Sequence, residues 1–190
     1  MSVELVTSST PELVEAMERL IPQLSRTAPA LTAQQCADLV AQPGVFLFVF
    51  RPDADAPTGA ASQVGSDGQG AAGQASPGAQ GAGTAAGAGT AAGAGAAAGA
   101  AAPILGMLTL ATFTIPTGLR AWVEDVVVDG QARGRGAGQA LVEAAVAHAT
   151  SIGARTVDLT SRPSREAANR LYRRAGFELR ETNVYRYKQA

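Results

Sequence analysis

The chain has 190 residues, with 15 Lys+Arg against 16 Asp+Glu and a formal net charge of −1. That length suits one domain, and the balanced charge gives no reason to expect nucleic acid or an acidic membrane surface as partner. Cys36 is the single cysteine, so no intrachain disulfide can form, in keeping with a reducing cytoplasm.

The first ten residues, MSVELVTSST, lack a basic n-region and an apolar h-region, so no signal peptide is expected. Residues 3–7, VELVT, read as a short strand. Thr10-Pro11-Glu12 has the form of a helix start: a hydroxyl at the N-cap, proline at the first helical position and an acid in the first turn. Leu13, Val14, Met17, Leu20, Ile21 and Leu24 follow at helical spacing and define one apolar face. Thr32 with Gln35 forms a capping box for a second helix, which ends at Gln42-Pro43-Gly44. VFLFVF, 45–50, is a continuous run of strand formers and predicts a strand covered on both faces.

The pattern then stops. Charged residues are 16% of the chain, against about 25% in ordinary domains, and the deficit lies in residues 52–102. There GAGTAA occurs at 81–86 and 87–92, and GAGAAA at 93–98. Alanine favours helix, but each interior glycine costs about 1 kcal/mol, and nothing in the segment can build a core. The composition predicts a disordered insertion between the second and third strands; a flat Gly/Ala sheet is the alternative. Alanine and glycine are too weakly apolar for a membrane span.

Order returns at Pro103. ILGMLTLATF, 104–113, reads as the hairpin partner of 45–50, then a turn at 115–118, then a long strand LRAWVEDVVVD, 119–129. A glycine-rich stretch, ARGRGAGQ at 132–139, precedes a helix to about Ser151 with Gly153 as its stop. RTVDLT, 155–160, is a further strand. Pro163-Ser164 opens a helix that runs through Asn169, Leu171 and Tyr172 to Gly176, and FELRETNVYRY predicts one or two closing strands. The order is that of a mixed α/β domain built on one sheet.

Strand, glycine turn, helix is an anion-binding arrangement. The first turn of a helix has free N–H groups and a partial positive charge, and phosphate approaches where no Cβ blocks it. Gly134, Gly136 and Gly138 remove the Cβ, while Arg133 and Arg135 add charge. A P-loop would need Gly-Lys-Ser/Thr, and here Gly138 is followed by Gln139-Ala140. A dinucleotide fingerprint needs G-x-G-x-x-G; the sixth residue from Gly134 is Gln139 and from Gly136 is Leu141, so both registers fail.

Arg133-Gly134-Arg135-Gly136-Ala137-Gly138 resembles the R/Q-x-x-G-x-G/A signature of the GNAT N-acetyltransferase superfamily. VEDVVVD before it resembles that family's fourth strand, and ANRLYRRAGFE, 168–178, its later helix. The likeness is strong from 104 to 188 and rests on element order alone from 1 to 50. It implies a single domain over 1–190, with a mostly antiparallel central sheet flanked by helices and splayed between the fourth and fifth strands. It implies acetyl-CoA as acyl donor and an amine as acceptor; separately, with one His and one Cys, no zinc cluster is expected. The amides of Arg133, Gly134, Arg135, Gly136, Ala137, Gly138 and Gln139 would cradle the pyrophosphate. The backbone of Val126, Val127 and Val128 would pair with the pantetheine arm, and an N–H near Val127 would meet the oxyanion. Tyr172 corresponds to the family's general acid and Asn169 to a pantetheine contact.

Glu124 is the candidate base, directly or through water, with Asp125 as the competitor. Strand alternation puts Glu124 and Val126 on one face and Asp125 and Val127 on the other, unless a bulge intervenes. His148, Cys36 and Trp122 read as packed residues. Arg162, Arg165, Arg170, Arg173 and Arg174 read as a solvated helix face for most of them, or as a hold for the CoA 3′-phosphate or an acidic acceptor. The function so implied is acyl-CoA-dependent N-acyl transfer to a primary amine by a cytoplasmic monomer or homodimer, without nucleic acid or membrane partners. A non-catalytic acyl-CoA sensor is the alternative, and the acceptor is beyond the sequence.

Overall fold

The computed structural model describes residues 1–25, 27–53 and 102–187. The elements in chain order are β1 (Ser2–Leu5), α1 (Pro11–Leu24), α2 (Ala33–Ala41), β2 (Val45–Arg51), β3 (Gly106–Ile115), β4 (Gly118–Val128), a 3-10 turn (Gly130–Ala132), α3 (Ala137–Ser151), β5 (Val157–Leu159) and α4 (Glu166–Arg174). All of the expected insertion 52–102 except Pro52, Asp53 and Ala102 lies outside the described residues.

Local chemistry sets the helix starts where the sequence puts them. The Thr10 hydroxyl accepts from the Leu13 amide at 3.2 Å, with Pro11 opening α1. Thr32 and Gln35 satisfy each other, side chain to backbone, at 3.2 and 2.9 Å at the start of α2. Both caps occupy helix N–H groups that have no partner within the helix.

The five strands lie in the order β1-β2-β3-β4-β5. The first three pairings are antiparallel and only β4–β5 is parallel. The alternation of β2 explains its continuous apolar run. Phe48 and Phe50 face one core with Leu108, Leu110, Leu141, Val142 and Ala145. Leu47 and Val49 face a second core with Leu13, Met17, Leu20 and Cys36. Helices α1 and α2 thus cover one face of the sheet and α3 the other, so Leu47 to Phe50 of β2 are buried on both faces.

The C-terminal stretch differs from expectation. Residues 177–187 form no strand, and Leu179, Val184, Tyr185 and Tyr187 are exposed. The physical reason is the length of β5. Its ladder has three residue pairs, all with β4, which leaves little edge on which a further strand could register. Phe177 still packs against the α3 core. The last helix also starts later than Pro163-Ser164 suggests, at Glu166.

Candidate active site

The sheet opens where the glycine turn begins. The β4–β5 ladder consists of Ala121–Val157, Trp122–Asp158 and Val123–Leu159, and stops there. β4 continues to Val128, and among the described residues Glu124 to Val128 have no ladder partner on the β5 side. Among those residues, one edge of the strand keeps backbone donors and acceptors that could template another extended chain.

A β-bulge falls within the same stretch. Met107 opposes Val127 and Thr109 opposes Glu124, so β4 holds one residue more than β3 between them. Asp125 takes the strain with φ +50°, the left-handed region that L residues enter at a cost. The bulge inverts the alternation. Ala121 and Val123 pack on the α3 side before it, and Val126 and Val128 after it, whereas Val127 joins the α1/α2 core. The simple alternation of Glu124 with Val126 is therefore wrong: Glu124 shares its face with Val127, on the α1/α2 side. Both Glu124 and Asp125 are exposed. Glu124 is oriented by the Trp122 indole N–H, which donates to its carboxylate at 2.8 Å.

Beyond β4 the chain turns into α3. Gly134 and Gly136 have φ of +77° and +78°, and a Cβ built on either would meet nothing within 4 Å. Glycine is there for the backbone's sake, and the space in front of it is open. Gly138 differs: a Cβ there would lie 2.8 Å from Leu171 Cδ1. Its bareness lets α4 close on α3, which a phosphate-access reading of all three glycines does not anticipate. Gly136 caps α3 without a side-chain hydrogen bond. The first intrahelical bond is Ala140 N–H to Gly136 C=O at 3.0 Å, so the amides of Ala137, Gly138 and Gln139 precede it and point out of the helix end. On the same turn, Gln139 Nε2 donates to Glu143 at 2.8 Å, while its buried Oε1 has no partner among the described residues.

Tyr172 is half-buried on the α3 side of the sheet, opposite to Glu124. Its ring meets Phe177 edge-on at 6.0 Å. Burial raises the phenol's pKa, opposed by the charge of Arg165, so the group is a proton donor at neutral pH. Asn169 spends its amide nitrogen on the Arg162 carbonyl at 3.0 Å, fixing the loop before α4. His148 packs on Phe46 and Phe48 at 4.3 and 5.7 Å, and Cys36 is buried, both in agreement with their reading as packed residues. Arg162, Arg165, Arg170, Arg173 and Arg174 are exposed, and Arg170 faces Glu166 at 3.5 Å.

One residue that sequence reasoning missed is Asp129, the buried charged side chain at the end of β4, 6% exposed. The Gln131 amide first, then the Gln23 side chain and the Arg19 guanidinium, hold its carboxyl below the usual carboxylate range against the pull of burial. A depressed folded pKa stabilises the fold above the unfolded value of about 3.9, and that stability is lost as pH falls through the folded value. Asp129→Asn is therefore expected to cost about 1 kcal/mol at pH 7, and the cost should shrink below about pH 4. Denaturant midpoints of both proteins at the two pH values check this; a pH-independent difference overturns it.

The site is thus a mixed sheet opened at β4, with an uncapped glycine-rich helix start beside the opening. Residues 89–177 match the model described as the acetyltransferase (GNAT) family. That match covers less than half of the chain, and the chain has the fold of GNAT acetyltransferases. An aminoglycoside acetyltransferase from an uncultured soil metagenomic sample, solved with sisomicin, is similar at 14% identity and TM-score 0.65, covering 100% of this chain and 95% of that one. Glucosamine-6-phosphate N-acetyltransferase from Arabidopsis thaliana is similar at 13% identity and TM-score 0.60, covering 100% of both chains. Ribosomal-protein-alanine N-acetyltransferase from Brucella melitensis biovar Abortus 2308 is similar at 12% identity and TM-score 0.61, again over 100% of both. No curated protein matches the chain in sequence. Among the described residues, no helix is long and apolar enough to cross a membrane.

Proposed function

We propose that the chain transfers an acetyl group from acetyl-CoA to a primary amine by direct attack, without a covalent enzyme intermediate. The observation that carries this reading is the unspent edge of β4 from Glu124 to Val128, which ends at the uncapped start of α3. The residues fit the donor. Gly134 and Gly136 leave open space, and the helix end offers amides and positive potential to a pyrophosphate. In this reading the amides from Arg133 to Gln139 hold the phosphates. The backbone of Val126, Val127 and Val128 pairs with the amide-bearing arm of CoA, and Asn169 lines that arm with its remaining oxygen.

The chemistry needs a deprotonated amine, a stabilised oxyanion and an acid for the leaving thiolate. The amine lone pair attacks the thioester carbonyl carbon, and the carbonyl electrons move to oxygen, met by an N–H near Val127. Collapse breaks the C–S bond, and the thiolate takes the phenolic proton of Tyr172. Glu124, directly or through water, accepts the proton lost by the amine. The opposite faces occupied by Glu124 and Tyr172 support this division, because acceptor and leaving group then approach the carbonyl from different sides of the sheet. The three similar enzymes are named for an aminoglycoside, an amino-sugar phosphate and a protein alanine; one fold serves all three, so the acceptor follows from loops and not from the fold.

The test is a transfer assay with acetyl-CoA across aminoglycosides, polyamines, amino sugars and peptide N-termini, following free thiol and acetylated product. Acceptor-dependent thiol release supports the reading. Tight CoA binding with no transfer to any amine class points instead to a non-catalytic acyl-CoA-binding protein.

A further inference from the structure

We propose that Asp129 is a positioning residue that ties helix α1, on the acceptor face, through Arg19 and Gln23 to the 3-10 turn that leads into the donor turn. This rests on the donor-site reading above. Three segments meet at this residue, and two of them, the following turn and helix α1, meet at its carboxylate. Its own amide donates to the Leu105 carbonyl at 2.8 Å, just ahead of β3. Its Oδ1 accepts from the Gln131 amide at 3.0 Å, inside the 3-10 turn that leads to Gly134. Its Oδ2 faces Arg19 Nε at 3.4 Å and Gln23 Nε2 at 3.4 Å, both on α1. Arg19 also donates from Nη2 to the Ile104 carbonyl at 2.6 Å.

Burying a carboxylate is expensive unless it is paired and hydrogen-bonded, and an apolar side chain would pack such a position at less cost. What the carboxylate supplies and an apolar group could not is direction. It fixes the Gln131 N–H, inside the 3-10 turn, and so fixes where the chain enters the donor turn that follows. The same side of the sheet carries Leu13, Ala16, Met17 and Leu20 of α1 packed with Val127. The helix that covers the acceptor side is therefore bolted to the turn that holds the donor. A displacement of α1 moves the start of the turn with it.

The experiment compares the full wild-type chain with Arg19→Met, Arg19→Lys, Asp129→Asn and the double variant Arg19→Met/Asp129→Asn. Amide hydrogen exchange across residues 130–139 is measured without ligand, and CoA affinity is measured by calorimetry. Arg19 has a side chain 42% exposed, so its replacement opens no core cavity and carries the test even where Asp129→Asn fails to fold. Arg19→Met is expected to speed exchange in the turn about fivefold and weaken CoA about tenfold, with kcat at saturating donor within about twofold. Arg19→Lys should recover part of the affinity. The double variant should be no weaker than Asp129→Asn alone, since the pair acts as one device. Unchanged exchange and affinity in Arg19→Met, or a loss of kcat with affinity intact, overturns the proposal. A wild-type chain that does not bind CoA overturns the donor-site reading instead, and the ligand-free exchange rates still decide the anchoring.

Discussion

Gly136→Asp is expected to abolish CoA binding in a protein that still folds. Gly136 is the N-cap residue of α3, with φ +78°, and nothing lies within 4 Å of a Cβ placed there. A Cβ there therefore meets no described protein atom within 4 Å and starts the side chain into the space proposed for the pyrophosphate. Its backbone conformation costs about 1–2 kcal/mol for an L residue, least for Asn and Asp. Against that, an acid at a helix N-terminus is favoured by about 0.3–1 kcal/mol. The fold is nearly neutral to the change, whereas the ligand is not: the carboxylate occupies the positive pole of the helix and repels the phosphates. Calorimetry should show CoA affinity falling by more than about 100-fold, on the order of 3 kcal/mol. Gly136→Asn has the same shape without the charge and should fall between the two. Wild-type affinity in a folded Gly136→Asp protein would falsify the phosphate site.

Tyr172→Phe should lower turnover by about 10²- to 10⁴-fold, the usual contribution of a general acid, while acetyl-CoA affinity stays within about twofold. The substitution removes one oxygen and keeps the ring, whose edge-on contact with Phe177 at 6.0 Å holds the segment after α4. Among the described residues no hydrogen bond is made by the Tyr172 hydroxyl, so folding loses no partner when it goes. Burial keeps the phenol protonated through neutral pH, so its loss should be felt in kcat over the whole neutral range. Turnover equal to wild type, measured at saturating donor and acceptor, would place the acid elsewhere.

What could be read from the residues alone was whatever a short window encodes. Thr10-Pro11 and the Thr32–Gln35 box fix helix starts through contacts three residues apart, and VFLFVF declares a strand with two buried faces. The glycine turn was legible because positive φ at Gly134 and Gly136 demands residues without a side chain. What escaped is relational. The bulge at Asp125 exists only as a register shift between Met107 and Thr109 on another strand. Asp129 gains its meaning from Arg19 and Gln23, more than a hundred residues upstream. Gly138 looks like its two neighbours until Leu171 arrives against it. The closing strands were over-read for the opposite reason: residues 177–187 have apolar strand formers, but three-residue β5 offers them no ladder.

The bond between Trp122 and Glu124 has a practical consequence. Trp122 is the chain's only tryptophan, and its indole N–H ends on the carboxylate proposed to receive the acceptor's proton. An indole whose hydrogen bond is to a charged group emits according to that group's state. The chain therefore carries one indole beside the proposed acceptor site, with no competing indole to correct for. On that proposal, intrinsic emission would follow amine engagement separately from the thiol released from the donor.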